Sequence, residues 1–132
     1  MKEIGELNFP ENVRYTKDHE WARQEGDVVV AGVSDYAQDQ LGDVVYVELP
    51  PVAESFETGA VFGTVESVKA VSELFMPIAG EVVAVNPALS DMPDRVNSDP
   101  YGDGWMIHIR PSNPADLETL MTREAYLVIL KG

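Results

Sequence analysis

The fold is decided by the stretch Val61-Phe62-Gly63-Thr64-Val65-Glu66-Ser67-Val68-Lys69-Ala70-Val71-Ser72-Glu73-Leu74-Phe75. Its two halves are rich in β-branched and apolar residues and surround a four-residue centre, a pattern that predicts a β-hairpin. We expect its strands at Ala60–Glu66 and Val71–Met76. Folding the chain about its centre creates three cross-strand pairs, which are Glu66 with Val71, Thr64 with Glu73, and the favourable aromatic pair Phe62 with Phe75.

The centre of this hairpin, Ser67-Val68-Lys69-Ala70, holds one cation between small or apolar neighbours. It contains none of the Asn-Gly or Asp-Gly pairs that favour tight hairpin turns, although a type I turn tolerates these residues. We therefore expect Lys69 to be exposed and unpaired. Geometry alone favours an ordinary surface lysine. A long, flexible amine that can form a stable amide is also the right attachment point for a swinging arm.

Other short strands are predicted on both sides of this hairpin. They are a second hairpin at Trp21–Val33 with its turn at Gln24–Asp27, a strand at Val44–Val47, and another at Glu81–Val85. Residues 105–110 alternate in polarity, so we expect Trp105, Ile107 and Ile109 on one buried face. The sequence therefore predicts a mainly β fold.

Helices are predicted to be short and few. Ser34 is a capping residue for a helix over residues 34–41 that Gly42 closes. Residues 87–104 are rich in Pro, Asp, Ser and Gly and predict an irregular loop with one helical turn near Met92–Val96. The C-terminus is predicted to be helical, with Asn113-Pro114 and Thr122 as helix starts.

A faint internal repeat relates two of the strands. Residues 42–48 resemble residues 80–86 in the positions of glycine, acid and valine. Two copies are too few for a solenoid, so a fold built from two similar β halves explains the repeat better. A chance match between valine-rich strands is the alternative.

Size and charge narrow the function. A chain of 132 residues with 45% hydrophobic content predicts one domain with its own core. The net charge of −14 disfavours nucleic acid as a partner. It fits either steering towards basic patches on other proteins or simple solubility. No apolar run has the length of a membrane span, and residues 1–11 lack a targeting signal, so we expect a cytoplasmic protein without a membrane partner.

Few other chemical sites are visible. The chain has no cysteine, which excludes disulfides, thiolate metal sites and a cysteine nucleophile. Asn97, Asp99 and Gly102 fit only part of a calcium loop, and His19 and His108 lack a metal-binding spacing, so we expect no metal site. The sequence has no nucleophile and base constellation, so we also expect no catalytic residue.

Several separated blocks carry a resemblance to a known family. Gly63–Ala70, continuing through Ser72-Glu73-Leu74 to Pro77 and Gly80-Glu81-Val82, resembles the lipoylation site of glycine cleavage system H proteins. Further blocks follow in the family's order: Tyr15-Thr16, His19-Glu20-Trp21, Leu41–Val45, Val47–Pro50, Val96-Asn97, Pro100–Gly102 and Gly104-Trp105. The resemblance covers roughly residues 12–126, and several separated blocks are far more specific than one short motif.

The resemblance implies a fold and a set of site residues. The fold is a lipoyl-domain-like barrel-sandwich hybrid of two small antiparallel sheets, with short helices including a C-terminal helix. Residues 1–132 form one domain, with its core at 12–112 and a helical extension at 113–131. Lys69 matches the lipoylated lysine. Glu66 and Gly80 match residues that lipoylating enzymes recognise.

The resemblance also implies a non-catalytic carrier whose cofactor is covalent lipoic acid. Glycine dehydrogenase (P protein) loads an aminomethyl group onto the lipoyl arm, aminomethyltransferase (T protein) receives it, and dihydrolipoyl dehydrogenase (L protein) reoxidises the arm. A lipoate ligase or octanoyltransferase attaches the cofactor, and the carrier is expected to be a monomer. In the family a cleft shelters the loaded arm.

Departures from the family pattern leave alternatives open. Pro51, Ala53, His108 and Thr122-Arg123 differ from common family residues, which bears on partner preference more than on modification. Biotin is disfavoured because Val68 and Ala70, rather than methionines, flank Lys69. The lipoyl domains of 2-oxoacid dehydrogenases usually have aspartate before the lysine. A carrier for another lipoate-dependent pathway, such as sulfur oxidation or lipoyl relay, and a plain interaction module remain alternatives.

Overall fold

The computed structural model describes residues 2–132, which form two antiparallel sheets with short helices at their edges. The strands are β1 Arg14–Tyr15, β2 Glu20–Glu25, β3 Val28–Val33, β4 Val44–Glu48, β5 Ser55–Phe56, β6 Val61–Ser67, β7 Val71–Phe75, β8 Gly80–Val85 and β9 Ile107–Pro111. The helices are α1 Asp35–Leu41, α2 Ala88–Asp91, α3 Arg95–Ser98 and α4 Arg123–Lys131, with 3₁₀ turns at Ile4–Glu6 and Pro114–Thr119.

The sheets differ in size. The larger has six strands in the order β1-β2-β3-β9-β8-β5, and the smaller has three in the order β4-β6-β7. Apolar residues from both sheets meet in one core cluster, in which Val65 and Leu74 come from the small sheet and Val82, Ile107 and Ile109 from the large one. The small sheet therefore packs on the large one through its inner face, and the large sheet does not cover the outer face of the small sheet.

The internal repeat has a structural counterpart. β4 and β8 lie in different sheets, and each is interrupted by one register shift. The shift in β4 lies between Val44 and Tyr46, and the shift in β8 lies between Val82 and Ala84. The two irregularities therefore fall at matching positions of the repeat, which favours two similar β halves over a chance match.

The helical predictions were largely confirmed. The Ser34 hydroxyl accepts the N–H of Ala37 and so caps α1, and Gly42 ends that helix with a φ of 78°. The loop at residues 87–104 contains two helical turns, α2 and α3, instead of the single turn expected. The buried side chains of Leu89 and Val96 hold these turns against the core, a tertiary contact that local sequence does not display.

The strand at residues 105–110 departs from the expected pattern. β9 begins only at Ile107, so Trp105 precedes the strand. Ile107 and Ile109 are buried as expected, whereas Trp105 is only half-buried and lies 4.2 Å from the ring of His108. Met106 is fully buried in its place, because the backbone before the strand does not keep the two-residue alternation.

The C-terminal segment packs against the start of the chain. Asn113 and Thr122 both act as helix caps, as the sequence predicted. The Tyr126 ring on α4 is fully buried and stacks on Tyr15 with 4.6 Å between ring centroids. Tyr15 also forms a β-bridge with Met121. Within residues 2–132, none of the helices is both long and apolar enough to cross a membrane.

Candidate functional site: a lysine hairpin beside a cleft

The hairpin of β6 and β7 follows the predicted register at its tip but not at its base. Glu66 pairs with Val71 and Thr64 with Glu73, as expected. The predicted pair of Phe62 with Phe75 is wrong, because Phe75 pairs with Val61 across a register shift that lies between Val61 and Gly63. The shift frees Phe62 to turn inward, where it is buried in the core.

Hydrogen bonds within the protein fix the tip of the hairpin. The N–H of Ser67 donates to the Ala70 carbonyl at 2.8 Å, and the N–H of Val68 donates to the Asp43 carbonyl at 3.0 Å. The Ser67 hydroxyl accepts the N–H of Lys69 at 3.3 Å and the N–H of Ala70 at 3.1 Å. All four tip amides thus have acceptors, and Ser67 organises a turn that lacks glycine.

Lys69 is exposed at this tip. In the described chain, no carboxylate lies within ion-pair distance of its ammonium group. Its stem lies across the end of α1, because a Cβ added to Gly42 would come within 3.3 Å of the Lys69 Cε. The absence of a side chain at Gly42 therefore leaves room for the lysine to lie against α1.

The other two predicted site residues lie in different sheets. Glu66 is exposed on β6, in the small sheet that carries Lys69. Gly80 is buried at the start of β8 in the large sheet. A Cβ at Gly80 would lie 2.4 Å from the Arg110 carbonyl oxygen, so only glycine fits there. Glu66 is therefore accessible from solvent, whereas Gly80 is enclosed by the backbone that packs against β8.

A cleft of about 300 Å³ opens beside the hairpin. One wall is α1, with Tyr36, Ala37, Gln40 and Leu41, and the opposite wall is β7. The β7 side begins at Ala70, the residue after Lys69. The lysine therefore stands at the mouth of a cleft whose two walls both start next to it.

Glu20 is a buried carboxyl group in the wall of this cleft. It is only 2% exposed and accepts hydrogen bonds from the Thr16 hydroxyl at 3.0 Å and the Phe75 N–H at 3.1 Å. Burial raises the pKa of Glu20 to about 8, although both hydrogen bonds oppose this change. Among the ion pairs of the described residues none involves Glu20, so a cation that enters the cleft would find an uncompensated acid.

His19 supports the same wall. Its Nδ1 and the Tyr126 hydroxyl share a hydrogen bond of 2.9 Å, and that hydroxyl shares another of 2.8 Å with the Ser34 hydroxyl. Burial lowers the pKa of His19, which keeps the ring neutral at neutral pH. The cleft wall is thereby connected to the C-terminal helix and to the cap of α1.

Sequence reasoning missed Ser67, Gly42 and Glu20. Ser67 had a readable signal, because serine at the first position of a turn without glycine is typical of a side-chain cap on the turn. Gly42 and Glu20 had none. Their roles depend on Lys69 and Phe75, which lie far from them in sequence.

Asn97 and Asp99, which fit part of a calcium loop in sequence, form hydrogen bonds with backbone groups in the structure. The Asn97 side chain donates to the Gly42 carbonyl at 2.8 Å and accepts the Val44 N–H at 2.8 Å. An Asp99 oxygen accepts the N–H of Asp103 at 2.9 Å. Residues 2–132 contain no group of three or more acidic, histidine or cysteine side chains that could hold a metal ion.

Fold and site together define a class of protein, a β-rich domain of two sheets that presents an exposed lysine at the tip of a hairpin. Comparisons with known proteins identify the family within this class. The family model described as glycine cleavage H-protein matches residues 13–132. The glycine cleavage system H protein of Bacteroides fragilis is 55% identical over 126 residues, which cover 96% of this chain and 100% of that protein.

Two further relatives agree. The glycine cleavage system H protein of an Anaeromyxobacter species is 58% identical over 120 residues, covering 91% of this chain and 94% of that protein. The crystal structure of the H protein from Mycobacterium marinum is 37% identical with a TM-score of 0.86, covering 94% of this chain and all of the other. The chain belongs to the glycine cleavage H-protein family, and its fold is the lipoyl-domain-like hybrid of two sheets that the resemblance implied.

Proposed function

We propose that Lys69 is the point of lipoyl attachment and that the protein shuttles an aminomethyl group within the glycine cleavage system. The observation that carries the proposal is the placement of Lys69, which is exposed on a fully hydrogen-bonded turn at the mouth of a cleft. A lysine in this position is accessible to a modifying enzyme and can still direct an attached arm back to the protein surface. The residues present therefore fit a lipoyl group.

When bound, the lipoyl group supplies a disulfide that accepts the aminomethyl group and a dithiol that must be reoxidised. We assign the loading to glycine dehydrogenase (P protein), the unloading to aminomethyltransferase (T protein) and the reoxidation to dihydrolipoyl dehydrogenase (L protein). A lipoate ligase or octanoyltransferase would attach the arm and read Glu66 directly, while Gly80 would act through packing. The carrier itself would act as a cytoplasmic monomer without a catalytic residue.

The cleft is our candidate for the shelter of the loaded arm. Its α1 wall is half-buried and largely apolar, which suits the hydrocarbon part of the arm. Glu20 lies in the opposite part of the wall and has no cationic partner among the described side chains. The amine of an aminomethyl group is a cation, so it would favour the ionised form of Glu20 and bind there.

We also propose that residues 1–132 work as one domain. In this division, residues 12–112 form the carrier core and residues 113–131 form a helical extension. The buried Tyr126 and its stacking on Tyr15 support this arrangement, because they fasten the extension to the core.

The attachment site is tested by modification in vitro. The protein is incubated with lipoate ligase, lipoate and ATP, and its intact mass is measured. We expect one lipoyl addition in the wild type and in Lys17→Arg, a control at another exposed lysine, and none in Lys69→Arg. A wild type that stays unmodified under conditions that modify another H protein would overturn the proposal.

The pathway is tested by loading. Lipoylated protein is mixed with P protein, pyridoxal phosphate and labelled glycine, and the label on the carrier is measured. We expect loading that Lys69→Arg abolishes. Lipoylated protein that a functional P protein cannot load would redirect the assignment to the second candidate, a carrier for another lipoate-dependent pathway, which the departures at Pro51 and Ala53 leave open.

A further inference from the structure

The outer face of the small sheet carries an exposed row of side chains next to Lys69. Tyr46 on β4 pairs with Glu66 on β6, which pairs in turn with Val71 on β7. Directly paired residues of neighbouring strands point to the same side of a sheet, so the three side chains form one row. Tyr46 is 55% exposed and Val71 is 66% exposed, which is high for large apolar residues.

The surroundings of this row are acidic. Glu48 and Glu73 are exposed and pair with Thr64 in a second row on the same face. The three strands of the small sheet contain three carboxylates and neither lysine nor arginine, so Lys69 at the tip is the nearest cation in sequence. A partner that fits here has apolar contacts at its centre and basic side chains around them.

The position of the row next to Lys69 favours one kind of occupant. An enzyme that acylates the Lys69 amine has to enclose that amine in its own active site. The amine lies no more than one side chain's length from the backbone of the tip, so the same enzyme also covers the surface next to the tip. The row of Tyr46, Glu66 and Val71 is the first row there. An enzyme that acts on the distal end of a long attached arm can reach that end without covering this row.

We propose that the row of Tyr46, Glu66 and Val71 is the docking surface for the enzyme that lipoylates Lys69. Tyr46 and Val71 supply the apolar contact on both sides of Glu66, which pairs with a basic residue of the enzyme. This inference rests on the proposed attachment of a lipoyl group to Lys69. It adds two specificity-determining residues to Glu66 and Gly80, which the family resemblance implied.

The test compares substitutions that keep β propensity and remove apolar contact. Tyr46→Thr, Val71→Thr and the double variant are modified by lipoate ligase with saturating lipoate and ATP, and KM and kcat for the carrier are measured. The matched control is Val61→Thr, since Val61 is an exposed valine on the same sheet at the far end of β6. Thermal unfolding of every variant confirms that each is folded.

We expect the KM for the carrier to rise by about 5-fold in each single variant and by about 20-fold in the double variant, from loss of the buried apolar surface. Val61→Thr should keep the wild-type KM, and kcat should change little, because none of these residues touches the reacting atoms. A double variant with the wild-type KM would overturn the inference and leave Lys69 as the attachment site.

Three other outcomes also test the proposed docking surface. A double variant that is lipoylated normally but loaded poorly by P protein would show that the row serves that enzyme instead, which refutes our assignment. A wild type that no lipoylating enzyme modifies would overturn the proposed function, and the docking surface with it. If salt weakens the lipoylation of the wild type, and this salt dependence is lost in Glu66→Gln, the result would support a basic residue of the enzyme opposite Glu66.

Discussion

Replacing Ser67 with alanine should loosen the hairpin tip without disturbing the rest of the fold. The Ser67 hydroxyl accepts two backbone N–H groups, from Lys69 and Ala70, and donates to the Ala70 carbonyl at 3.3 Å. The side chain is 5% exposed, whereas Lys69 and Ala70 are exposed to solvent. Ser67→Ala therefore removes the acceptor of half of the tip amides and leaves the strand pairing in place.

The size of the effect follows from these contacts. A typical intramolecular hydrogen bond contributes about 1 kcal/mol net, and the two freed N–H groups lie where water can replace their partner. We therefore expect the free energy of unfolding to fall by about 1–2 kcal/mol, towards the lower end of what the three lost bonds imply. The opening equilibrium of the tip should rise by about 10-fold.

Two measurements check this prediction. Urea unfolding gives the change in global stability, and amide hydrogen exchange at Lys69 and Ala70 reports the tip alone. Ser67→Thr keeps the hydroxyl and should restore slow exchange. Ser72→Ala is the control, since Ser72 is a half-buried serine on β7 whose hydroxyl bonds to none of the described residues. Unchanged exchange at Lys69 and Ala70 in Ser67→Ala would refute the role of Ser67 in the turn.

Two further predictions concern buried positions. The free energy of unfolding should fall by on the order of a few kcal/mol as pH rises from about 4.5 to about 8, because Glu20 stays protonated in the folded protein and ionises in the unfolded chain. Urea unfolding at a series of pH values measures this fall, and Glu20→Gln should lack it. Gly80→Ala should lower the free energy of unfolding by about 3 kcal/mol because its Cβ meets backbone, whereas Gly5→Ala, with open space around it, should change stability little in the same assay.

Local sequence patterns predicted the elements that have strong local signals. The hairpin of β6 and β7 has two halves rich in β-branched and apolar residues, and α1 has both a capping serine and a closing glycine. The two-residue strands β1 and β5 have no such signal. They are strands only because neighbouring strands of the large sheet pair with them, and pairing of this kind is a tertiary contact.

The site was predictable in part for a similar reason. Lys69 lies in a motif that predicts an attachment point, even though geometry alone favours a surface lysine. Glu20 lies in a block that the resemblance includes, but nothing in the block shows that the carboxyl group is buried. Its burial is a tertiary property, and one of its oxygens accepts the N–H of Phe75, which lies 55 residues away. The buried acid in the cleft could therefore be recognised only once the fold was known.

Lipoylation of Lys69 and sheltering of the loaded arm would use adjacent surfaces of β7, an edge strand of the small sheet. Val71 belongs both to the exposed row on the outer face and to the wall of the cleft, whereas Tyr46 belongs to the row alone. An enzyme docked on the row would thus stand at the mouth of the cleft without filling it, and must leave before the arm can lie there. It follows that Tyr46 can be changed to alter modification alone, while a change at Val71 should alter both modification and the lifetime of the loaded arm. Substitutions at Tyr46 and Val71, on either side of Glu66, would then separate the lipoylation of Lys69 from the sheltering of its loaded arm.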